Sequence, residues 1–131
     1  MKLLLDTHIW IWSHVAPEHL APNVVAALAA QGTEVWLSPI SVWEFLLLVE
    51  RGRLTLEIGS DAWLDAAFTS AGLREAPITR EVAQRSRTVK VPHQDPADRF
   101  LAATAQVYDL TLVTDDQHLL KGRGFAKLAN R

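Results

Sequence analysis

Cysteine is absent from all 131 residues, which excludes disulfide scaffolds, thiol nucleophiles and cysteine-ligated zinc together. Any metal must therefore sit on oxygen or imidazole. Long apolar runs are missing too: Phe45 to Val49 falls far short of the roughly 20 residues that cross a bilayer. The start, Met1-Lys2-Leu3-Leu4-Leu5-Asp6, has no small-residue cleavage site, so the expected location is cytoplasmic. No repeat, linker or low-complexity tract interrupts the chain, which excludes fibrous and disordered classes. What remains is ordinary globular usage, 49% hydrophobic and 21% charged, and the expectation is a single packed domain over residues 1–131.

The formal charge of −2 argues against a nucleic-acid partner only until the charges are located, because a local field can steer a polyanion whatever the sum. Arg80, Arg85, Arg87 and Lys90 are opposed in their stretch by Glu81 alone, and Lys121, Arg123, Lys127 and Arg131 follow Asp116 with no acid among them. Either cluster could track a phosphate backbone or be a solvated helix face.

Lys2 to Leu5 is an apolar run ending at Asp6, expected as a buried parallel strand, with a helix opening at Thr7. A helix from Pro22 to Gln31, stopped by Gly32, leads to a strand over Val35 to Leu37. Ser41 to Arg51 and Ser60 to Ala71 read as helices closed by Gly52 and Gly72. Leu73 to Ile78 reads as extended, Thr79 to Arg87 as a short helix and Pro96 to Val107 as a long one. Leu110 to Thr114 is a β-branched strand, followed by a short helix and a last strand near Phe125 to Leu128. This alternation implies an α/β fold, three-layer α/β/α, around a central, mostly parallel sheet.

In such a sheet every strand ends, and the next helix begins, at one edge, where ligands bind. Asp6 ends the first strand, Glu44 and Asp98 fall in the first turns of their helices, and Asp115 and Asp116 end the Leu110 strand. Carboxylates converging there would repel one another unless a cation neutralised them, and oxygen-only ligands favour magnesium, with manganese as a substitute. Each acid has a structural alternative. Ser41-Val42-Trp43-Glu44 reads as a capping box, Asp95-Pro96-Ala97-Asp98 as a cap with proline at the first helical position, and Asp116 as a cap for the His118 helix. Asp6 stands apart, since Thr7 could supply any cap that Asp6 would.

Four strings occur in register along almost the whole chain: Leu3-Leu4-Leu5-Asp6-Thr7-His8; Ser38-Pro39-Ile40-Ser41-Val42-Trp43-Glu44; His93-Gln94-Asp95-Pro96-Ala97-Asp98-Arg99; and Leu112-Val113-Thr114-Asp115-Asp116. Together they resemble PIN-domain ribonucleases, specifically VapC-like toxins of type II toxin-antitoxin systems. The resemblance implies an endoribonuclease that cleaves RNA with a magnesium ion held by Asp6, Glu44, Asp98 and Asp116, leaving 5′-phosphate and 3′-hydroxyl ends. It implies Thr114 as a supporting hydroxyl. The family's Thr-x-Asp pattern selects Asp116 over Asp115. Asp95 then reads as the helix cap, and Arg99 as pairing with a local acid or touching phosphate. The implied partners are a second copy of the chain, making a homodimer, and a cognate antitoxin whose C-terminal segment wraps the groove and inhibits the site.

His8, His14, His19, His93 and His118 are scattered without paired-ligand spacing, so structural or surface roles are expected, with His93 orienting its loop. The helix from Ser41 is apolar on nearly every face, and with Trp10, Trp12 and Trp63 it predicts an exposed patch for a partner, or else a fully buried central helix. Two other functions compete. A magnesium-dependent phosphatase would use a strand-end aspartate, but Asp6-Thr7-His8 lacks the second aspartate two residues on that haloacid-dehalogenase-type enzymes use. A non-catalytic RNA-binding or interaction module would leave the acids as caps and bind no divalent ion.

Overall fold

The computed structural model describes residues 1–70 and 72–131. Strand β1 (Lys2–Leu5) lies at the centre of a five-stranded parallel sheet, which is why Leu3, Leu4 and Leu5 are all buried although successive side chains face opposite ways. The order is β3 (Arg74–Glu75), β2 (Glu34–Leu37), β1, β4 (Thr111–Thr114), β5 (Ala126–Ala129). Leu4 is in register with Trp36 on one side and Leu112 on the other.

The two faces carry separate cores. Leu3, Leu5, Leu37 and Val113 pack with Ile9 and Trp10 of α1 (Thr7–Val15), Val24 of α2 (Pro22–Ala29), Phe45 of α3 (Pro39–Glu50) and Ala67 of α4 (Ser60–Ser70). Leu4 and Leu112 pack with Leu101, Ala102 and Ala105 of α6 (Pro96–Tyr108) and Leu119 of α7 (Gln117–Leu120). Helix α5 (Arg80–Ser86) lies against α6. These are the three layers that the sequence pattern implies.

Three local expectations are corrected. Helix α3 begins at Pro39, because Ser38 is its N-cap, accepting from the Ile40 amide at 3.1 Å, and Pro39 needs no donor at the first helical position. Ser41 is therefore inside the helix, and no capping box forms between it and Glu44. Trp10 is not part of an exposed patch; it is 1% exposed, wedged against Phe45 and Trp63. The reading of α4 as running to Ala71 falls partly outside the described residues. Of the two readings of α3, the half-exposed one holds: only Ser41 and Phe45 are buried, and Trp43 is 54% exposed.

Candidate active site

Asp6 occupies the N-cap position of α1, a role the sequence reading left to Thr7, and one oxygen, Oδ1, accepts from the Thr7 amide at 2.7 Å. Its other oxygen, Oδ2, accepts from the Thr114 hydroxyl at 2.6 Å, a bond between the ends of the two central strands β1 and β4. Burial pushes the carboxyl up to about 6; the nearby Glu44 charge adds to this, while the two hydrogen bonds and His8 hold it down.

Thr114 serves two acids. Its Oγ1 donates to Asp6 and accepts from the Asp116 amide at 3.0 Å, so the strand-end hydroxyl fixes where the next acid points. Asp116 caps α7, its Oδ1 accepting from the His118 and Leu119 amides at 2.8 and 3.3 Å. The capping reading is thus correct for Asp116, yet it engages one oxygen only. Asp115 is exposed, and it is Asp116 whose charge acts on Asp98.

Asp98 lies in the first turn of α6, its side chain 13% exposed. Burial pushes it up to about 7, with the charges of Asp116, Asp95 and Asp6 adding to the shift and a 3.0 Å bond that Oδ2 accepts from His93 Nδ1 opposing it. His93 in turn stacks on His118 with ring centroids 4.2 Å apart. Two of the histidines read as scattered therefore meet at the acids. Their sequence separation hid this; the signal was His93 lying five residues before Asp98 in an irregular loop that can fold back. Asp95 caps α6 through a 2.9 Å bond from the Ala97 amide, as expected. Among the described residues, the group offering ligand atoms all within 4.8 Å of one another is His93, Asp95 and Asp98; no three of Asp6, Glu44, Asp98 and Asp116 are gathered that closely.

Glu44 reaches the site from α3. Its Oε1 is 2.5 Å from the Thr7 hydroxyl, which also lies 2.8 Å from Ser41 Oγ. The single Thr7 proton goes to the carboxylate, so toward Ser41 the threonine oxygen acts as acceptor. Arg99 departs from both expected roles. It is 5% exposed and donates to the carbonyls of Ser86, Val89, Val91 and His93, stapling the segment between α5 and α6.

This donor set suits a hard divalent cation. Every ligand candidate among the acids is oxygen, each acid is oriented by a hydroxyl, amide or imidazole that leaves lone pairs open, and the burial and mutual repulsion that raise Asp6 and Asp98 would both be offset by positive charge. Beside the acids, a cavity of 610 Å³ runs along α3, lined by Thr7, Glu44 and Asp95 at one end and by Trp43, Leu47 and Leu48 along its wall.

Residues 3–124 match the PIN domain family. The chain is 32% identical over 124 residues to ribonuclease VapC22 of Mycobacterium tuberculosis, 92% of each chain being covered. Among solved structures, the VapBC2 complex of Rickettsia felis, bound to a DNA fragment from its promoter, has a chain with a TM-score of 0.71, 15% identity and 98% coverage of both. A toxin-antitoxin complex from Klebsiella pneumoniae has one with a TM-score of 0.69, 19% identity and 98% coverage of both. With the fold, the in-register motifs and these matches in agreement, the chain belongs to the PIN domain family and is VapC-like within it.

Proposed function

We propose that this chain is a magnesium-dependent endoribonuclease, the toxin of a toxin-antitoxin pair, in which Asp6, Glu44, Asp98 and Asp116 hold the ion. The observation that supports this most is electrostatic: Asp98 feels Asp116 and Asp6, and Asp6 feels Glu44, so the four acids form one interacting set drawn from four elements. The reading in which the acids are only caps accounts for the bonds of Asp95 and Asp116. It does not account for Glu44 or Asp98, whose carboxylates meet Thr7 and His93 side chains instead of helix amides.

When bound, the ion supplies an activated water and offsets charge on the phosphoryl oxygens, and manganese could take its place. The chain's own residues do the rest. Thr114 fixes Asp6 and Asp116 relative to each other, and Thr7 turns Glu44 toward them. His93 holds Oδ2 of Asp98. The products are RNA ends bearing 5′-phosphate and 3′-hydroxyl groups. The apolar wall of the neighbouring cavity, with Trp43 half-exposed on it, suits an inhibitory antitoxin segment and the contact of a homodimer. The toxin would work as a single domain in the cytoplasm, where its RNA is.

The test is cleavage of total RNA by the purified protein with and without magnesium, followed by mapping of the ends. Asp6→Asn and Asp98→Asn should each lower the rate by more than about 100-fold, since a lost ligand costs more than a lost supporting contact. Wild-type rates from either variant in magnesium would end the proposal.

A further inference from the structure

The two cationic clusters of the sequence meet in space. Lys90, in the segment after α5, pairs with Arg123, before β5, in an isolated antiparallel bridge, the Arg123 amide donating to the Lys90 carbonyl at 2.9 Å. Arg85, at the end of α5, joins them, and the three line an open groove of 580 Å³ whose walls hold no carboxylate. Among the described residues none of the three makes an ion pair; the pairs present are Arg74 with Glu34 and His93 with Asp98.

Arg85 is nonetheless held in place. Its Nη1 donates to Gln106 Oε1 at 2.9 Å, and the Gln106 amide nitrogen donates to the Gly124 carbonyl at 3.0 Å. Gly124 has a φ of 89°, which L side chains rarely adopt, and a Cβ there would stand 3.0 Å from that nitrogen and crowd the glutamine, so the turn bearing Arg123 favours glycine. A neutral amide thus fixes the guanidinium without cancelling its charge. A cation kept for stability alone would gain more from a carboxylate. Three like charges brought together, one of them immobilised, and none neutralised describe an anion-binding surface.

We propose that the groove of Arg85, Lys90 and Arg123 is a second RNA-binding site, gripping the phosphodiester backbone of the single-stranded substrate at a distance from the acids. This rests on the ribonuclease reading. Gln106 lies two turns beyond Asp98 on α6, about 12 Å along its axis. The chain from Val89 to Asp95 links groove to acids, and Arg99 pins its Val89, Val91 and His93 carbonyls. A strand a few nucleotides long could therefore lie in both. The acids repel phosphate by themselves, so a cationic hold nearby keeps the strand close.

The experiment measures binding of a labelled single-stranded RNA as a function of salt, with calcium replacing magnesium to leave the strand intact. Each phosphate contact contributes about 0.7 to the slope of log affinity against log salt, so Arg85→Gln/Lys90→Gln/Arg123→Gln should lower the slope by about 2 and weaken binding at least about tenfold. The charge-preserving Arg85→Lys/Lys90→Arg/Arg123→Lys should keep most of the slope, and Lys2→Gln/Arg53→Gln, which removes exposed cations elsewhere, all of it. Melting temperatures check that each variant is folded. An unchanged slope in a folded triple-glutamine variant overturns the proposal, as does loss of binding to an acidic peptide with RNA binding intact. A wild-type protein that neither cuts nor binds RNA would instead sink the ribonuclease reading.

Discussion

The acidic edge of the sheet and the basic groove two helical turns away are built on one plan with opposite signs. In each, like charges gather and are oriented by hydrogen-bonding side chains: Thr114, Thr7 and His93 for the acids, Gln106 for Arg85. Elsewhere the chain does pair charges, as Arg74 does with Glu34. Burial separates the two regions. Asp6 and Asp98 are shielded enough from water for their protonation to shift, whereas Lys90 and Arg123 are exposed, so water screens their repulsion. The lesson is that the edge costs the folded state more than the groove does.

The sharpest way to break that comparison is to remove the cost at the edge. Asp6 and Asp98 bind protons more tightly in the folded chain, at about 6 and about 7, than at the ordinary 3.8. Between pH 4 and 7 the folded chain thus holds more protons than the unfolded one, and stability in EDTA falls as pH rises through that window. Asp98→Asn, already expected to slow cleavage by more than about 100-fold, should in EDTA at pH 8 be more stable than wild type, by about 1–2 kcal/mol after allowing for solvent screening. It should also gain less from added magnesium. Calorimetry in EDTA and in magnesium reads both; a variant no more stable than wild type at pH 8 would mean that neither burial nor the neighbouring acids penalise the Asp98 charge.

Thr114→Val, nearly isosteric, tests the neutral support. It removes the donor to Asp6 and the acceptor of the Asp116 amide in one step, at a cost of about 1–3 kcal/mol for the groups left unsatisfied. Cleavage should drop about 10- to 100-fold, as for other groups that orient a metal ligand, with a matching loss of magnesium affinity by titration calorimetry. Retention of both would show that Thr114 merely fills the strand end.

Much of the edge was legible because it follows from local rules. An apolar run that stops at Asp6 and a β-branched run that stops at Thr114 announce strand ends, and parallel strands end together. Ser41 was misread as a cap because Ser38-Pro39, with the serine three residues earlier, carries the stronger signature. Arg99 looked like a charge in search of an acid, when its fork of donors was spent on four carbonyls, those of Ser86 at the end of α5 and of Val89, Val91 and His93 in the segment after it. The groove was legible only in halves. Nothing local joins Lys90 to Arg123, because a single bridge between distant segments leaves no periodicity.

Gln106 then separates charge from position at the groove. Gln106→Ala keeps Arg85, Lys90 and Arg123 but releases the guanidinium from its 2.9 Å partner, so a strand that binds must now order that side chain itself. Ordering one long side chain costs about 1 kcal/mol, which is several-fold in affinity, while the number of phosphate contacts and hence the salt slope stays the same. The expected result is a weaker RNA complex with an unchanged slope, read in the same titration as the triple variant. A fall in slope would show that Arg85 cannot reach phosphate without its glutamine. Unchanged affinity would show that the amide holds Arg85 for the sake of the Gly124 turn, and the likeness between the two regions would then stop at the sign of their charge.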